Sequence, residues 1–346
     1  MSRPRSALDY LCDDGPAEGT TREIAPGLRW VRMGLPFAPD HINLWLVEDG
    51  PGWAIVDCGL GVPATREAWE RIFATEIGGK PVTRILVTHF HPDHLGSGRW
   101  LQERWGVEAW MTAGEWTTAR GVLAAASDID IDTKLDLYRR NGVATGALDA
   151  FRAPPNTFYR SLVPAIPPRF VRLAGGQHLR IGAHDWTVLI GRGHAPEHAC
   201  LWCPELGALI AGDILLPRIS PNVSVWPSEP LGDPLKEYLG SLANFADVPA
   251  DTLVLPAHGQ PYRGVHLRIA ELRHHHEERL DKVATALREA PRTAVECFPL
   301  LFRREIGNAN MGLALGESLA HLHRLESAGR IRRETGADGV HRFRAR

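Results

Sequence analysis

The sequence predicts an α/β (α+β) fold: a sandwich of two sheets with helices on its outer faces, followed by a small C-terminal helical module. Three observations predict it. Apolar, β-branched runs recur in two halves of the chain, each interleaved with helical periodicity. Several of these runs stop at a histidine or aspartate beside a glycine, where ligand sites gather in open α/β sheets. Beyond residue 264 the strands give way to long helical patterns.

In order, residues 1–27 carry Gly, Pro, Asp and Glu with weak periodicity and read as an irregular arm. Strands are predicted at 28–35, 42–47 and 53–56, the last ending in Asp57-Cys58-Gly59. A helix follows at 63–77, with Pro63 near its start, Trp69, Ile72 and Phe73 on one face, and Gly78-Gly79 after it. The strand at 82–87 leads into Thr88-His89-Phe90-His91-Pro92-Asp93-His94-Leu95-Gly96. Asp93 opens a helix to Trp105, and 107–111 is the next strand.

Residues 113–168 break this rhythm with helical patterns at 114–126, 132–141 and 147–151 and a proline-rich stretch. They read as an insertion over a site, a lid whose Arg120, Arg139, Arg140, Arg152, Arg160 and the following Arg169 either form a solvated face or meet an anionic substrate. Short strands resume at 178–181, 186–190, 200–203 and 208–211, two of them leading to Gly193-His194 and Gly212-Asp213. A Pro- and Ser-rich loop spans 217–230, a helix 234–245, and a strand at 252–255 ends in Pro256-Ala257-His258-Gly259. The catalytic domain is therefore placed at 28–263 and the C-terminal module at 264–346. In that module, helices at 265–288, 293–302 and 312–328 precede a β-hairpin, a winged-helix-like order. His274-His275-His276 reads as a solvated helix face, since nothing else of ligand type clusters there.

Composition excludes several classes. Hydrophobic content of 44% and charged content of 23% are ordinary for a globular protein, and a net charge of −2 gives no global pull toward nucleic acid or anionic membrane. No run approaches the ~18 apolar residues a membrane span needs. The first residues lack an apolar signal core, so the cytoplasm is the expected compartment. Five scattered cysteines (Cys12, Cys58, Cys200, Cys203, Cys297) are no disulfide framework, and the lone CxxC at 200–203 lies in an apparent strand, favouring a core role.

His89, His91, Asp93 and His94 fall within six residues of a strand-to-helix turn, which lets short side chains converge on one point. His194, Asp213 and His258 each follow an apolar strand beside a glycine. Five imidazoles and two carboxylates without cysteine suit zinc, iron or manganese and argue against a structural zinc site. Seven ligands are too many for one tetrahedral ion and fit two ions roughly 3.5–4 Å apart.

Thr88 to His94 matches the HxHxDH signature of the metallo-β-lactamase-fold hydrolases, and the order Asp57, HxHxDH, His194, Asp213, His258 resembles that superfamily's five motifs over residues 28–262. The resemblance implies an αββα sandwich. It implies that His89, His91 and His194 hold one metal, that Asp93, His94 and His258 hold a second, and that Asp213 bridges them. Asp57 would hydrogen-bond and orient the ligand turn from behind. The bridging aspartate and the absence of a signal core disfavour an exported antibiotic-degrading enzyme. The chain is more similar to the glyoxalase II, lactonase and lactamase-beta-like-2 branch, and its C-terminal module is particularly similar to that of the last.

The expected enzyme is a binuclear metal-dependent hydrolase, with zinc first and iron or manganese as alternatives. A hydroxide shared by two metals would attack the scissile group, and Asp93 would orient the nucleophile or shuttle its proton. His198 either lines the pocket or is an ordinary polar residue at a strand start. An ester, thioester or lactone is the expected substrate class, as a small molecule or on an acyl carrier such as coenzyme A. The alternative is an endoribonuclease or other phosphodiesterase, suggested by Arg330, Arg332, Arg333, Arg342, Arg344 and Arg346 but opposed by Glu317, Glu326, Glu334 and Asp338. The tail could instead pack on the catalytic domain or mediate a homodimer. A non-enzymatic metal-dependent binder is disfavoured by the complete ligand set.

Overall fold

The computed structural model describes residues 8–12, 14–154 and 156–346. The first half of the chain contains β1 (Asp9–Tyr10), β2 (Thr21–Ala25), β3 (Leu28–Gly34), β4 (His41–Asp49), β5 (Gly52–Val56), β6 (Val82–Leu86), β7 (Ala109–Thr112) and β8 (Val171–Leu173). Its helices are α1 (Pro63–Thr75), α2 (Pro92–Leu95), α3 (Gly98–Trp105), α4 (Ala113–Ala124), α5 (Asp128–Arg140) and α6 (Thr157–Leu162). The second half contributes β9 (His178–Ile181), β10 (His184–Gly191), β11 (His198–Cys203), β12 (Ala208–Gly212), β13 (Leu253–Pro256) and β14 (Tyr262–Arg263), with α7 (Pro234–Ser241). The C-terminal module is α8 (Val265–Glu289), α9 (Phe298–Leu301), α10 (Met311–Ser327) and the hairpin β15 (Ile331–Thr335) and β16 (His341–Ala345).

Two seven-stranded sheets form, ordered β2-β3-β4-β5-β6-β7-β8 and β1-β14-β13-β12-β11-β10-β9. The expected sandwich is what the structure shows, and its central strands β4, β5, β12 and β13 are buried on both faces. Trp30, Trp45, Val47, Val56 and Leu86 of the first sheet meet Trp186, Val188, Leu201, Ile210 and Leu255 of the second. The alternate residues Leu44, Leu46 and Ile55 face outward against Trp69, Ile72 and Leu101 of α1 and α3. Beyond the second sheet, Leu209, Ala211 and Val254 pack with Leu235 of α7, Leu272 of α8 and Leu319 of α10. Covering both faces accounts for the near-continuous apolar runs of β4, β5 and β12.

The arm is more ordered than expected. β1 pairs antiparallel with β14, and β2 pairs with β3, so residues 9–10 and 21–25 extend an edge of each sheet. Residues 1–7 of the arm lie outside the described residues. The expected 93–105 helix is two helices, α2 and α3. The 293–302 helix shrinks to a 3-10 turn and α9, because Pro299 is tolerated only in a first helical turn. Among the described residues no helix is long and apolar enough to cross a membrane.

The histidine run also needs correction. His274 is exposed, but His276 is 1% exposed, with Nδ1 3.4 Å from Nε2 of the equally buried His321 on α10. An α8 residue two positions along the helix turns inward where a stripe packs on α10. Burial, then the neighbouring imidazole His321, pushes His276 down to about 2. Burial, then Arg279, pushes His321 down to about 3. Both stay neutral in the folded state, while unfolded histidines take up protons below about pH 6.5. Their stabilisation is therefore complete above that pH and is lost as pH falls toward 3. In metal-stripped protein, His276→Leu should remove about 1.4 kcal/mol per pH unit from the slope of unfolding free energy between pH 6 and 4. Urea denaturation at several pH values checks this, and an unchanged slope would contradict it.

Candidate metal centre

Strand direction assembles the centre. β5 and β6 are parallel, as are β12 and β13, and β10 shares their direction because β11 is antiparallel to both β10 and β12. The residues that follow these strands gather at one edge of the sandwich. Asp57 follows β5, the His89-to-His94 turn follows β6, His194 follows β10, Asp213 follows β12 and His258 follows β13. All seven candidate ligands come together there in two groups, His89, His91, His194 and Asp213, and Asp93, His94 and His258. Within each group the ligand atoms lie within 4.8 Å of one another.

Asp213 faces both groups. Its Oδ2 lies 3.2 Å from His194 Nε2 and 4.0 Å from His89 Nε2, while its Oδ1 lies 3.6 Å from His94 Nε2 and 3.5 Å from His258 Nε2. Asp93 Oδ2 lies 3.4 Å from His258 Nε2. His89 Nε2 is 2.9 Å from His91 Nδ1 and 3.3 Å from His194 Nε2.

The donor chemistry fits cations. His194 and His258 each direct Nδ1 at a backbone carbonyl, of Asn222 and His41, at 2.7 Å. Donation there leaves each Nε2 as an inward lone pair. Burial, reinforced by neighbouring imidazoles, holds His89 and His91 well below the ordinary histidine range, so they too are neutral, the form that can donate to a metal. His94 Nε2 and Asp213 Oδ1 are buried without a hydrogen-bond partner, a costly state that coordination relieves. Burial raises the Asp213 carboxyl, but His258, His94 and His194 outweigh it and hold it well below the usual carboxylate range. Burial opposes charge on His94, yet Asp57, Asp93 and Asp213 push it up to about 10. A metal at Nε2 would displace that proton.

Backbone and buried polar groups fix this edge. Asp57 adopts φ +64°, a left-handed conformation that costs a non-glycine residue about 1 kcal/mol or more. The strain aims its carboxylate at the turn: Oδ1 accepts from Thr88 N at 2.8 Å, and Oδ2 from Thr88 Oγ1 at 2.9 Å and His94 Nδ1 at 2.8 Å. Asn43 on β4 donates to the carbonyls of Pro256 and Gly259, bracketing His258.

Sequence reasoning missed several of these groups. Glu115, in the first turn of α4, is fully buried. It accepts from Phe90 N at 2.9 Å and Glu197 N at 2.6 Å, tying the His89–His91 turn to the loop after His194. Burial pushes it up to about 7 despite those two bonds. An acidic residue at a helix start reads as an ordinary dipole partner, so its sequence position carried no signal. His41 and Asn222 support ligands through backbone carbonyls, which any residue supplies. His198 does begin a strand, but it is fully buried rather than an ordinary polar residue. Its Nε2 accepts from Asp213 N at 3.2 Å, and its ring stacks on His89 at 4.6 Å. A Cβ on Gly212 would come within 2.4 Å of that Nε2, so glycine is required there.

The insertion reaches the centre without its arginines. Tyr159 of α6 donates to Phe90 O at 2.8 Å, between two candidate ligands. Arg139 and Arg140 pair with Asp136, Arg152 with Asp149 and Arg169 with Glu108, while Arg120 lies over Trp116. The solvated-face reading fits Arg139, Arg140 and Arg152, because acids placed three or four residues away satisfy them locally.

Glu115→Ala should weaken metal retention by about 10–100-fold, as loss of support behind ligands does, and Glu115→Gln by less, since its amide keeps one acceptor. Competition with a chelator measures this. Wild-type retention in the alanine variant would show that Glu115 does not set the ligand geometry.

Known proteins match this architecture. Residues 38–258 match the model of the metallo-beta-lactamase superfamily, and residues 280–346 match that of the metallo-beta-lactamase-like C-terminal domain. A beta-lactamase domain protein from Burkholderia ambifaria is 47% identical, with a TM-score of 0.91 over 98% of both chains. A metallo-beta-lactamase family protein from Thermus thermophilus is 30% identical, with a TM-score of 0.77 over 94% of this chain and 100% of the other. The probable metallo-hydrolase YqjP of Bacillus subtilis is 25% identical over 86% of this chain and 91% of its own length. A hydroxyacylglutathione hydrolase of Dechloromonas aromatica is 26% identical over 66% of this chain and 60% of its own. With the His and Asp cluster at the shared strand edge, these matches establish that the chain belongs to the metallo-beta-lactamase superfamily and is a metallo-hydrolase.

Proposed function

We propose that the protein is a binuclear hydrolase of an ester, thioester or lactone, carried as a small molecule or on an acyl carrier. The observation that carries this is Asp213, whose two oxygens are divided between two groups of ligands. His89, His91 and His194 would hold one ion, Asp93, His94 and His258 the other, and Asp213 would bridge them. Zinc is the first expectation, and the nitrogen and oxygen donors also suit iron or manganese. When bound, the ions supply Lewis acidity and lower the pKa of water toward 7.

The chain's own groups do the rest. Asp93 keeps its side chain 13% exposed, the most open of the candidate ligand carboxylates, and so can accept a proton from an attacking water. Asp57 and Thr88 hold the His94 ring, while the Asn222 and His41 carbonyls hold His194 and His258. Relatives named hydroxyacylglutathione hydrolase support an acyl substrate. Nucleic acid is less favoured, because Arg330, Arg332, Arg333 and Arg342 of the wing pair with Asp281, Glu334, Glu326 and Asp338. A phosphate-binding surface keeps such cations available.

Metal analysis of protein purified without chelators should give about two ions per chain. A value below one would contradict the binuclear reading. Asp213→Ala should lower the metal content and reduce kcat/KM by at least about a hundredfold. A panel of thioesters, lactones, a linear alkyl sulfate and single-stranded RNA defines the reaction. RNA cleavage abolished by Asp213→Ala, without acyl turnover, would replace the acyl reading by the phosphodiesterase one.

A further inference from the structure

We infer that the mouth of the metal centre binds an apolar acyl or alkyl chain of the substrate, with Phe37 and Phe158 as its specificity-determining pair. The inference rests on the hydrolase reading for its site and adds the nature of the group beside the scissile bond.

Three of the segments that steady candidate ligands, those of His41, Tyr159 and Asn222, also present exposed apolar side chains. Phe37 is 36% exposed and lies between β3 and β4, four residues before His41, whose carbonyl accepts from His258. Phe158 is 63% exposed and precedes Tyr159, whose hydroxyl holds the Phe90 carbonyl between His89 and His91. The two rings, 121 positions apart in sequence, meet with centroids 6.2 Å apart at an interplanar angle of 55°. Ile219 and Trp226, 46% and 42% exposed, sit on the loop whose Asn222 carbonyl accepts from His194. Leu313, 47% exposed, lies where α10 receives that loop, its carbonyl accepting from Ser224.

The 63% of Phe158 and 36% of Phe37 that stay in water gain nothing for the fold, and a tilted aromatic pair still has face and edge to offer a third apolar group. Arg139, Arg140 and Arg152 of the insertion are engaged by its own acids and offer little to an anionic tail, which leaves Arg160, two residues after Phe158, as the lone cation of α6. The rim is continuous with the ligand-bearing segments and supplies no cluster of charge. Its occupant is therefore the uncharged chain of the molecule being cleaved. A methylene withdrawn from water contributes about fourfold in affinity, so a few of them separate long from short substrates.

The test uses the metal-loaded full-length protein and two readouts. Calorimetry compares decanoate with butyrate, which share the carboxylate and differ in chain. Kinetics compares p-nitrophenyl decanoate with the butyrate ester. Wild type should bind decanoate at least about tenfold more tightly. Phe37→Ala/Phe158→Ala should lose about tenfold for decanoate and less than twofold for butyrate, at unchanged metal content, with part of the loss in each single variant. Phe158→Leu should restore part of the preference. Equal affinity for both acids in the wild type, or parallel losses for both in the double variant, would overturn the inference. Chain-dependent binding without turnover of any ester, thioester or sulfate would uphold it and overturn the hydrolase substrate reading alone.

Discussion

The structure depends on one electrostatic constraint: five imidazoles and two carboxylates, almost all withdrawn from water, must face one another with few protons between them. Buried lone pairs on His89 and His91, beside a depressed carboxylate on Asp213 and a proton held on His94 by three aspartates, are costly unless cations fill the centre. The surrounding architecture meets this constraint by fixing the far side of each ring. Asp57, through an unfavourable backbone conformation, holds Thr88 and His94; carbonyls hold His194 and His258; His198 holds the amide of Asp213. Each support leaves the inward atom free for coordination. The same rigidity explains why the centre is built at strand ends, whose positions are set by two interlocked sheets rather than by loop sequence.

The chain order of the candidate ligands was legible because the chemistry demands particular side chains at particular strand ends. Asp57, His89, His91, Asp93, His94, His194, Asp213 and His258 all carry groups that a buried strand terminus has little other reason to hold. The sandwich was legible for a related reason, since strands covered on both faces must be apolar throughout. Groups whose contribution depends on tertiary distance escaped notice. Glu115 resembles any acidic residue in a first helical turn until its carboxylate is seen joining two distant loops. Asn222 and His41 act on ligand rings through their main chain. The insertion's arginines drew attention by number, although intrahelical pairs account for several of them. His276 was misread because a run of identical residues has no visible inward face, whereas a helix gives it one.

The C-terminal module is part of the same construction. Gly316 of α10 accepts from Val225 N, and a Cβ there would come within 2.8 Å of Ser224 and of the Val225 carbonyl. Asn222 Nδ2 donates to Glu317, which pairs with Arg279 of α8 at 2.7 Å. The loop that orients His194 is thus seated on α10. Packing on the catalytic domain, one of the roles open to this tail, is the role its contacts describe.

The N-terminal strands have a wider consequence. β1, paired at the edge of one sheet, is followed in the chain by β2, paired at the edge of the other. The first sheet leads to His89, His91, Asp93 and His94, and the second to His194, Asp213 and His258. The covalent link from β1 to β2 therefore joins the edges of the two sheets that carry the halves of the centre. Splaying the sheets at that end would break strand pairing at one of its anchors, so the distance between two sets of ligands is held in part by residues that touch neither. Shortening the chain past Tyr10 would release one anchor and leave the β14 edge unpaired, open to another strand.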